Sequence, residues 1–282
     1  MQTTEKAETL QLKILLIALV VVVAALLILL AAVMKPAAQN AQLKSVAPPA
    51  PTYAPLDTNP YTPEDFEEVD GYLACITGPY SMGIDVSEYQ GSIDWQRVKN
   101  AGVDFVFIRL GGRGWGAEGN LYADGRAQEY YEGAKAAGLE VGAYFFSQAL
   151  TVKEAMEEAV YALSLMEGWE LDLPLVYDWE YVGSYARTAS MGPRALTNCS
   201  LAFCNILQTA GVQGMMYFNP SQGEDLLYLE ELAAYPFWLA MYEAPMNYPY
   251  EVEYWQYTDS GSVPGIYGKV DINLRLPKRT ME

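Results

Sequence analysis

Residues 175–180 read Leu-Val-Tyr-Asp-Trp-Glu, an apolar run that ends in two carboxylates one residue apart. Side chains in a strand alternate between faces, so Asp178 and Glu180 point the same way, with Cα atoms roughly 6.6 Å apart. Two acids then share one small volume. Repulsion and partial loss of water raise the pKa of one of them, leaving a protonated acid beside an ionised partner. Cleavage of a glycosidic bond requires such a pair. Taken alone, the hexapeptide also fits two solvated charges at a strand end, so the rest of the chain has to decide.

Composition removes several other chemistries. None of the 282 residues is histidine, so a Ser-His-Asp triad, a Cys-His peptidase and a zinc site with imidazole ligands are excluded. Carboxylates abound, with 35 Asp plus Glu against 17 Lys plus Arg and a formal charge of −18. That balance argues against nucleic acid and polyanionic polymers as partners and favours a neutral glycan. The 22 Tyr and 6 Trp supply faces on which sugar rings stack, although most will pack the core. Cys75, Cys199 and Cys204 have no metal-ligand spacing and read as small buried apolar residues. Neither a metal nor a cofactor is expected.

Positioning the pair requires a scaffold, and the pattern after Gly83 supplies one. Apolar strands are expected at 83–86, 105–109, 141–145, 175–180, 214–218, 237–241, 253–257 and 269–272. Helical segments between the early strands stop on Gly102, Gly138, Gly168 and Gly211, where glycine accommodates the left-handed turn that ends a helix. Thr151 and Glu154 form the capping box of one of them. The last three strands start only 16 residues apart, too close for full helices between them. The expected fold is therefore α/β: a modified TIM-like barrel over 83–274, five β/α units closed by three further strands. Active sites of such barrels lie at the C-terminal strand ends, where Asp85, Asp178, Glu180, Tyr217, Trp238, Tyr242 and Asp271 would converge.

Residues 14–34 are an uncharged, almost wholly aliphatic run between Lys13 and Lys35, long enough to cross a bilayer as a transmembrane helix. A secretory signal has a shorter apolar core, ~7 to 15 residues, so an uncleaved single-pass anchor is expected, after a tail at 1–13. Its orientation is not set by the flanking lysines, which balance. Eight prolines lie within 36–79; 35–65 reads as a linker and 66–82, around Asp70-Gly71, as a β-hairpin leading into the barrel. Residues 275–282 form a short tail. Gly114-Trp-Gly-Ala-Glu-Gly119 matches a dinucleotide fingerprint literally, but no helix opens on it; a glycine-rich loop bordering the cleft is the better reading.

Several motifs in order resemble one family. Gly83-Ile-Asp-Val-Ser-Glu-Tyr-Gln-Gly91 with Ile93-Asp-Trp95, Tyr144-Phe-Phe, Asp178-Trp-Glu180, Phe237-Trp-Leu-Ala-Met-Tyr242, Trp255-Gln-Tyr-Thr and Val270-Asp-Ile-Asn273 look like family 25 glycoside hydrolases, the lysozyme-type muramidases. The resemblance implies peptidoglycan glycan strands as substrate, cut between N-acetylmuramic acid and N-acetylglucosamine. It also implies Glu180 as general acid, Asp178 as its partner and Asp85 and Asp271 as supporting acids. Tyr144, Tyr217, Trp238, Tyr242 and Trp255 would contact sugar. Phe145 stands where family members often carry histidine. By this reading the catalytic domain lies outside the cytoplasmic membrane, held to the lipid bilayer by the N-terminal helix. Two alternatives are a catalytically silent glycan-binding module, against which the intact acid pair argues, and a chitinase-like barrel hydrolase, whose longer acidic run before the glutamate is missing here.

Overall fold

The computed structural model describes residues 53–242 and 245–278. The apolar run at 14–34 and the linker up to residue 52 lie outside them. Among the described residues no helix is long and apolar enough to cross a membrane.

The ordered chain opens with an antiparallel hairpin, β1 (Phe66–Val69) and β2 (Tyr72–Cys75). Its turn is Asp70-Gly71, both at positive φ (53° and 83°), the geometry of a two-residue hairpin loop. Next come β3 (Ser81–Val86), α1 (Trp95–Asn100), β4 (Phe105–Arg113), β5 (Leu121–Ala123), α2 (Ala127–Ala136), β6 (Glu140–Ser147), α3 (Val152–Leu165), β7 (Leu175–Trp179) and α4 (Pro193–Thr209). They are followed by β8 (Gly214–Phe218), the short α5 (Pro220–Asp225) and α6 (Leu229–Leu232), β9 (Phe237–Ala240), β10 (Tyr254–Gly261) and β11 (Val270–Arg275).

Eight of these strands close a barrel in the order β3-β11-β10-β9-β8-β7-β6-β4, with β4 pairing back to β3. Helices connect the first six barrel strands, and none separates the last three, as the spacing predicts. The β9 to β10 link is nonetheless a parallel crossover, made by an irregular segment. Only β11 runs antiparallel to both neighbours. The ninth strand, β5, is an antiparallel flap on the far end of β4.

Local signals account for the helix boundaries. Gly102, Gly138, Gly168 and Gly211 all take φ between 77° and 94°, a conformation costly for any residue with a Cβ. The capping box expected at α3 is half present: Thr151 Oγ1 accepts the Glu154 amide at 3.2 Å, but the Glu154 carboxylate reaches past Thr151 to the amide of Leu150 at 2.7 Å.

The barrel is filled on the inside by Phe105, Phe107, Leu173, Val176, Met215, Trp238 and Tyr254. Gly83 and Gly142 make this possible, because a Cβ on either would stand 2.2–2.3 Å from the ring of Phe105 or Phe107. A second apolar layer lies between barrel and helices, and it contains Cys199 and Cys204, free and buried on α4.

Residues 53–65, in the segment read as linker, pack on the barrel's N-terminal face. Thr58 bridges Tyr250, Asn59 donates its amide to Pro249 O at 3.0 Å, and the buried Tyr61 donates its hydroxyl to Pro277 O at 2.9 Å. Backbone polarity and a buried aromatic, not proline content, decide that this stretch is ordered.

Candidate active site

At the C-terminal end of the barrel the side chains that point inward change from aromatic to acidic. Asp85 on β3, Tyr144 on β6, Asp178 on β7 with Glu180 just beyond it, Tyr217 on β8, Trp238 on β9, Tyr242 after it, Gln256 and Asp259 on β10 and Asp271 on β11 line one cleft of about 360 Å³. Period-two alternation brings all of them but Asp259 together from seven strands. Eight of the nine side chains expected at the site converge here, and Trp255 does not.

Asp85 is the hub of the floor. Its Oδ2 accepts from Gln256 Nε2 and from Asn273 Nδ2, both at 2.8 Å. Gln256 Oε1 in turn accepts the hydroxyls of Tyr217 at 3.0 Å and Tyr242 at 2.6 Å. Asn273 Oδ1 accepts the Trp238 indole at 2.8 Å. One buried carboxylate thus fixes the rotamers of three aromatic walls. Asp271 pairs with Asp85 in register across β3 and β11. Burial and the Asp85 charge push its pKa up to about 9, so Asp271 carries a proton at neutral pH; burial raises the pKa of Asp85 as well, opposed by the hydrogen bonds from Asn273, Gln256 and Asp271.

Asp178 lies above this floor, 4 % exposed, and among the described residues its Oδ1 has no hydrogen-bond partner. Desolvation first, then the charges of Glu180 and Asp85, hold its pKa well above the usual carboxylate range, opposed by Arg109. Arg109 is itself engaged, donating to Asp124 at 2.8 Å and facing Glu88 at 3.5 Å. Glu180 is at the solvent-exposed mouth, and loss of water around its carboxyl together with Asp85 also raises its pKa. With five acids and no lysine or arginine lining the cleft, neutralisation by protons is the remaining route, and the larger push falls on the deeper Asp178.

The chain at the end of β7 is held beyond its sheet pairing. Glu180 is not in β7; its carbonyl accepts from the side-chain amide of buried Gln148 at 3.0 Å. The carbonyl of Trp179 accepts from buried Gln222 Nε2 at 3.1 Å. Gln148 is set in turn by Thr188 Oγ1 at 2.6 Å and by Glu158, which accepts from its backbone amide and from Arg113 at 2.7 Å. Two glutamines, Gln148 just past the end of β6 and Gln222 in the first turn of α5, therefore clamp two consecutive carbonyls and aim the Glu180 side chain.

Two expectations are corrected. Trp255 was expected to touch sugar, yet it is 2 % exposed, donates to Met241 O at 2.9 Å and packs edge-on against Phe66 outside the barrel. Strand parity is the reason: on β10 Tyr254 and Gln256 face inward, which turns Trp255 outward. The glycine-rich loop at 114–119 does not line the cleft; it packs on the loop after β7, where Trp115 meets Tyr185 edge-on and its carbonyl accepts from Arg187 N at 2.9 Å. Gln256, Asn273, Asp259, Gln148 and Gln222 were not anticipated as site residues. Parity with Tyr254 and Asp271 marks the first two. Asp259 follows register shifts in β10 that erase parity, and nothing in the local sequence marks the two clamping glutamines.

The model of the family described as glycosyl hydrolases family 25 matches residues 84–266. The chain belongs to glycosyl hydrolase family 25. This family 25 chain is 30 % identical to the autolytic lysozyme of Clostridium acetobutylicum over 192 residues, which cover 68 % of it and 54 % of that relative; it thus spans about half the relative's length. Among solved structures, the bacterial lysozyme of Streptomyces coelicolor aligns with a TM-score of 0.57 at 30 % identity, over 70 % of this chain and 92 % of that one. The modular autolysin LytC of Streptococcus pneumoniae, solved with a synthetic peptidoglycan ligand, aligns with a TM-score of 0.62 at 26 % identity, over 74 % and 51 % of the two chains. Among the described residues of this family 25 barrel no cluster of His, Cys, Asp or Glu is arranged to hold a metal.

Proposed function

We propose that this family 25 chain is a muramidase that hydrolyses the β-1,4 bond between N-acetylmuramic acid and N-acetylglucosamine in peptidoglycan. The observation that carries the reading is the Asp178 and Glu180 pair, set over a cleft with no positive lining and walled by Tyr144, Tyr217, Trp238 and Tyr242. The lysozyme names of the relatives and the peptidoglycan fragment bound to LytC support it.

In this mechanism Glu180, at the open mouth, protonates the leaving glycosidic oxygen, and Asp178 governs the attacking side. In the free protein the larger upward push is on Asp178. A donor from the substrate side, the sugar's 2-acetamido N–H or an attacking water, takes the unpartnered Oδ1 and stabilises the ionised form. Repulsion then keeps the shared proton on Glu180, next to the bond that breaks. Asp85, with the protonated Asp271 beneath, holds the aromatic walls. The reaction needs no cofactor, and all of its proton transfers are carboxylate chemistry.

The barrel would act outside the cytoplasmic membrane, where the polymerised substrate lies, with residues 14–34 as a single lipid-spanning anchor. Mass spectrometry of purified wall digested with the full chain tests the activity. Glycan fragments with reducing-end N-acetylmuramic acid are expected. Fragments ending in N-acetylglucosamine, or cleavage of chitin oligomers with the wall left intact, would replace the reading with another hydrolase.

A further inference from the structure

The glycine-rich loop at 114–119 does not line the cleft, yet it is wedged against two buried guanidinium groups. Arg113, whose side chain is 7 % exposed, donates to Gly119 O at 2.9 Å, to Glu154 O at 3.1 Å and to the Glu158 carboxylate at 2.7 Å. Arg187, with a side chain 8 % exposed, donates to Glu154 Oε1 at 2.7 Å and to the carbonyl of Gln148 at 3.2 Å. The two arginines and the carboxylates of Glu154 and Glu158 make a box in which the formal charges cancel. Only a glycine closes it. Gly119 takes φ 57°, and a Cβ there would stand 2.2 Å from Arg187 Nη1, so any side chain at this position drives the guanidinium off its two acceptors.

The box grips one residue. Gln148 donates its backbone N–H to Glu158 at 3.4 Å, its carbonyl accepts from Arg187, its Oε1 accepts from Thr188 Oγ1 at 2.6 Å, and its Nε2 donates to Glu180 O at 3.0 Å. Arg187 is the member that joins separate pieces of chain. It belongs to the loop after β7, its own amide donates to Trp115 O at 2.9 Å, and its guanidinium reaches the first turn of α3 and the end of β6. A planar fork holds a carboxylate and a carbonyl at once, which the single nitrogen of a lysine does not reproduce. Arg187 does not line the cleft, so its influence on the chemistry passes through Gln148. We propose that the glycine-rich loop is a seat for the Arg187 guanidinium, and that Arg187 is a positioning residue holding Gln148, and through it the Glu180 carboxyl, in the geometry of proton donation. This assignment rests on the reading of Glu180 as the general acid.

The test is a double-mutant cycle in the full chain, read as cleavage of the soluble tetrasaccharide of alternating N-acetylglucosamine and N-acetylmuramic acid, with thermal unfolding followed beside it. Arg187→Ala should lower kcat by about tenfold with KM within about twofold, the effect of a small displacement of a positioned group. Gly119→Ala, which displaces the guanidinium from the other side, should do the same. Arg187→Lys, which keeps the charge and one of the two bonds, should recover part of the loss. In a Glu180→Gln background, Arg187→Ala or Gly119→Ala should cost less than about twofold more, because no proton donor is left to misplace. If Arg187→Ala does not fold, Gly119→Ala and Arg187→Lys carry the same comparison. Equal losses in the two backgrounds would make Arg187 a structural residue only, and a large loss for Glu180→Gln with none for the Arg187 and Gly119 variants would detach the box from the reaction; either overturns this inference and leaves the acid in place. Near-normal turnover by Glu180→Gln alone would instead remove the acid, and this assignment with it.

Discussion

Replacing Asp271 by asparagine should stabilise the protein, and more so as the pH rises. Asp271 has an ordinary pKa of 3.8 in the unfolded chain and about 9 in the fold, raised first by burial and then by the charge of Asp85. A carboxyl whose folded pKa is raised contributes fully to stability below its unfolded pKa, and that contribution is lost progressively as pH climbs toward the folded value. At pH 7 the fold must bind a proton that the unfolded chain has released. At about 1.4 kcal/mol per pH unit, the interval from 3.8 to 7 sets an upper bound of about 4 kcal/mol. Sharing of the proton with Asp85 and partial contact with solvent bring it to about 2 kcal/mol. Asparagine has the same shape, is neutral at every pH and can donate an N–H to Asp85 where the protonated acid donates an O–H. Asp271→Asn should therefore raise Tm by about 4 to 8 °C at pH 7 and change it little at pH 4, where the acid is protonated anyway. Calorimetry of the full chain at the two pH values measures this. A gain of equal size at both, or a loss at pH 7, would show that Asp271 is not the proton-bearing member of the pair.

Glu180→Gln should lower wall hydrolysis by on the order of 10² to 10⁴ with no loss of thermal stability, because the amide fills the space and carries no charge to repel Asp85 but has no proton to give; near-normal clearing of a wall suspension would remove Glu180 from the mechanism. The pH–rate profile should be bell-shaped with an acidic to neutral optimum, its upper limb shifted above the ordinary glutamate range because the cleft holds the proton on; a rate still climbing above about pH 9 is incompatible with a carboxylic acid donor. Gln148→Leu strands the Glu180 carbonyl and the Thr188 hydroxyl without their partner, so kcat should fall by about tenfold with KM nearly constant and stability should drop by about 1 to 3 kcal/mol; parallel losses in kcat and KM would mean that the clamp shapes the cleft instead of aiming the acid. Protease added to intact, wall-stripped cells should remove the barrel and leave a small membrane-embedded fragment; full protection would reverse the proposed topology.

What the sequence reveals and what it hides follow from the range of the forces involved. Strand parity and glycine stops are local, so the eight barrel strands, the hairpin at Asp70-Gly71 and the convergence of Asp85, Asp178, Glu180 and Asp271 could be read without coordinates. Trp255 is misplaced because the motif that carries the resemblance does not say which of its alternating side chains faces inward; parity with Tyr254 and Gln256 does. Beyond the strands the signal fades. β5 is three residues in a glycine-rich loop, Asp259 lies past irregular register, and the polar contacts of Gln148 and Gln222 span 32 and 43 residues with no periodic pattern between them. The ordered stretch at 53–65 was hidden for a similar reason: its partners near residues 250 and 277 are almost 200 residues away or more.

That docked stretch also determines how force enters the molecule. It meets the barrel at the N-terminal ends of β8, β9 and β10, beside Gln213, Pro236 and Glu253, on the face opposite the cleft. A pull on residue 53 is met first by the Thr58 bridge to Tyr250, the Asn59 bonds to residues 248 and 249 and the Tyr61 anchor on Pro277. Those contacts lie within residues 58–61 and must give way before any load reaches β3 and Asp85. Under the proposed anchor the stretch would work as strain relief on a cable, taking up drag at the base of the barrel, away from Glu180.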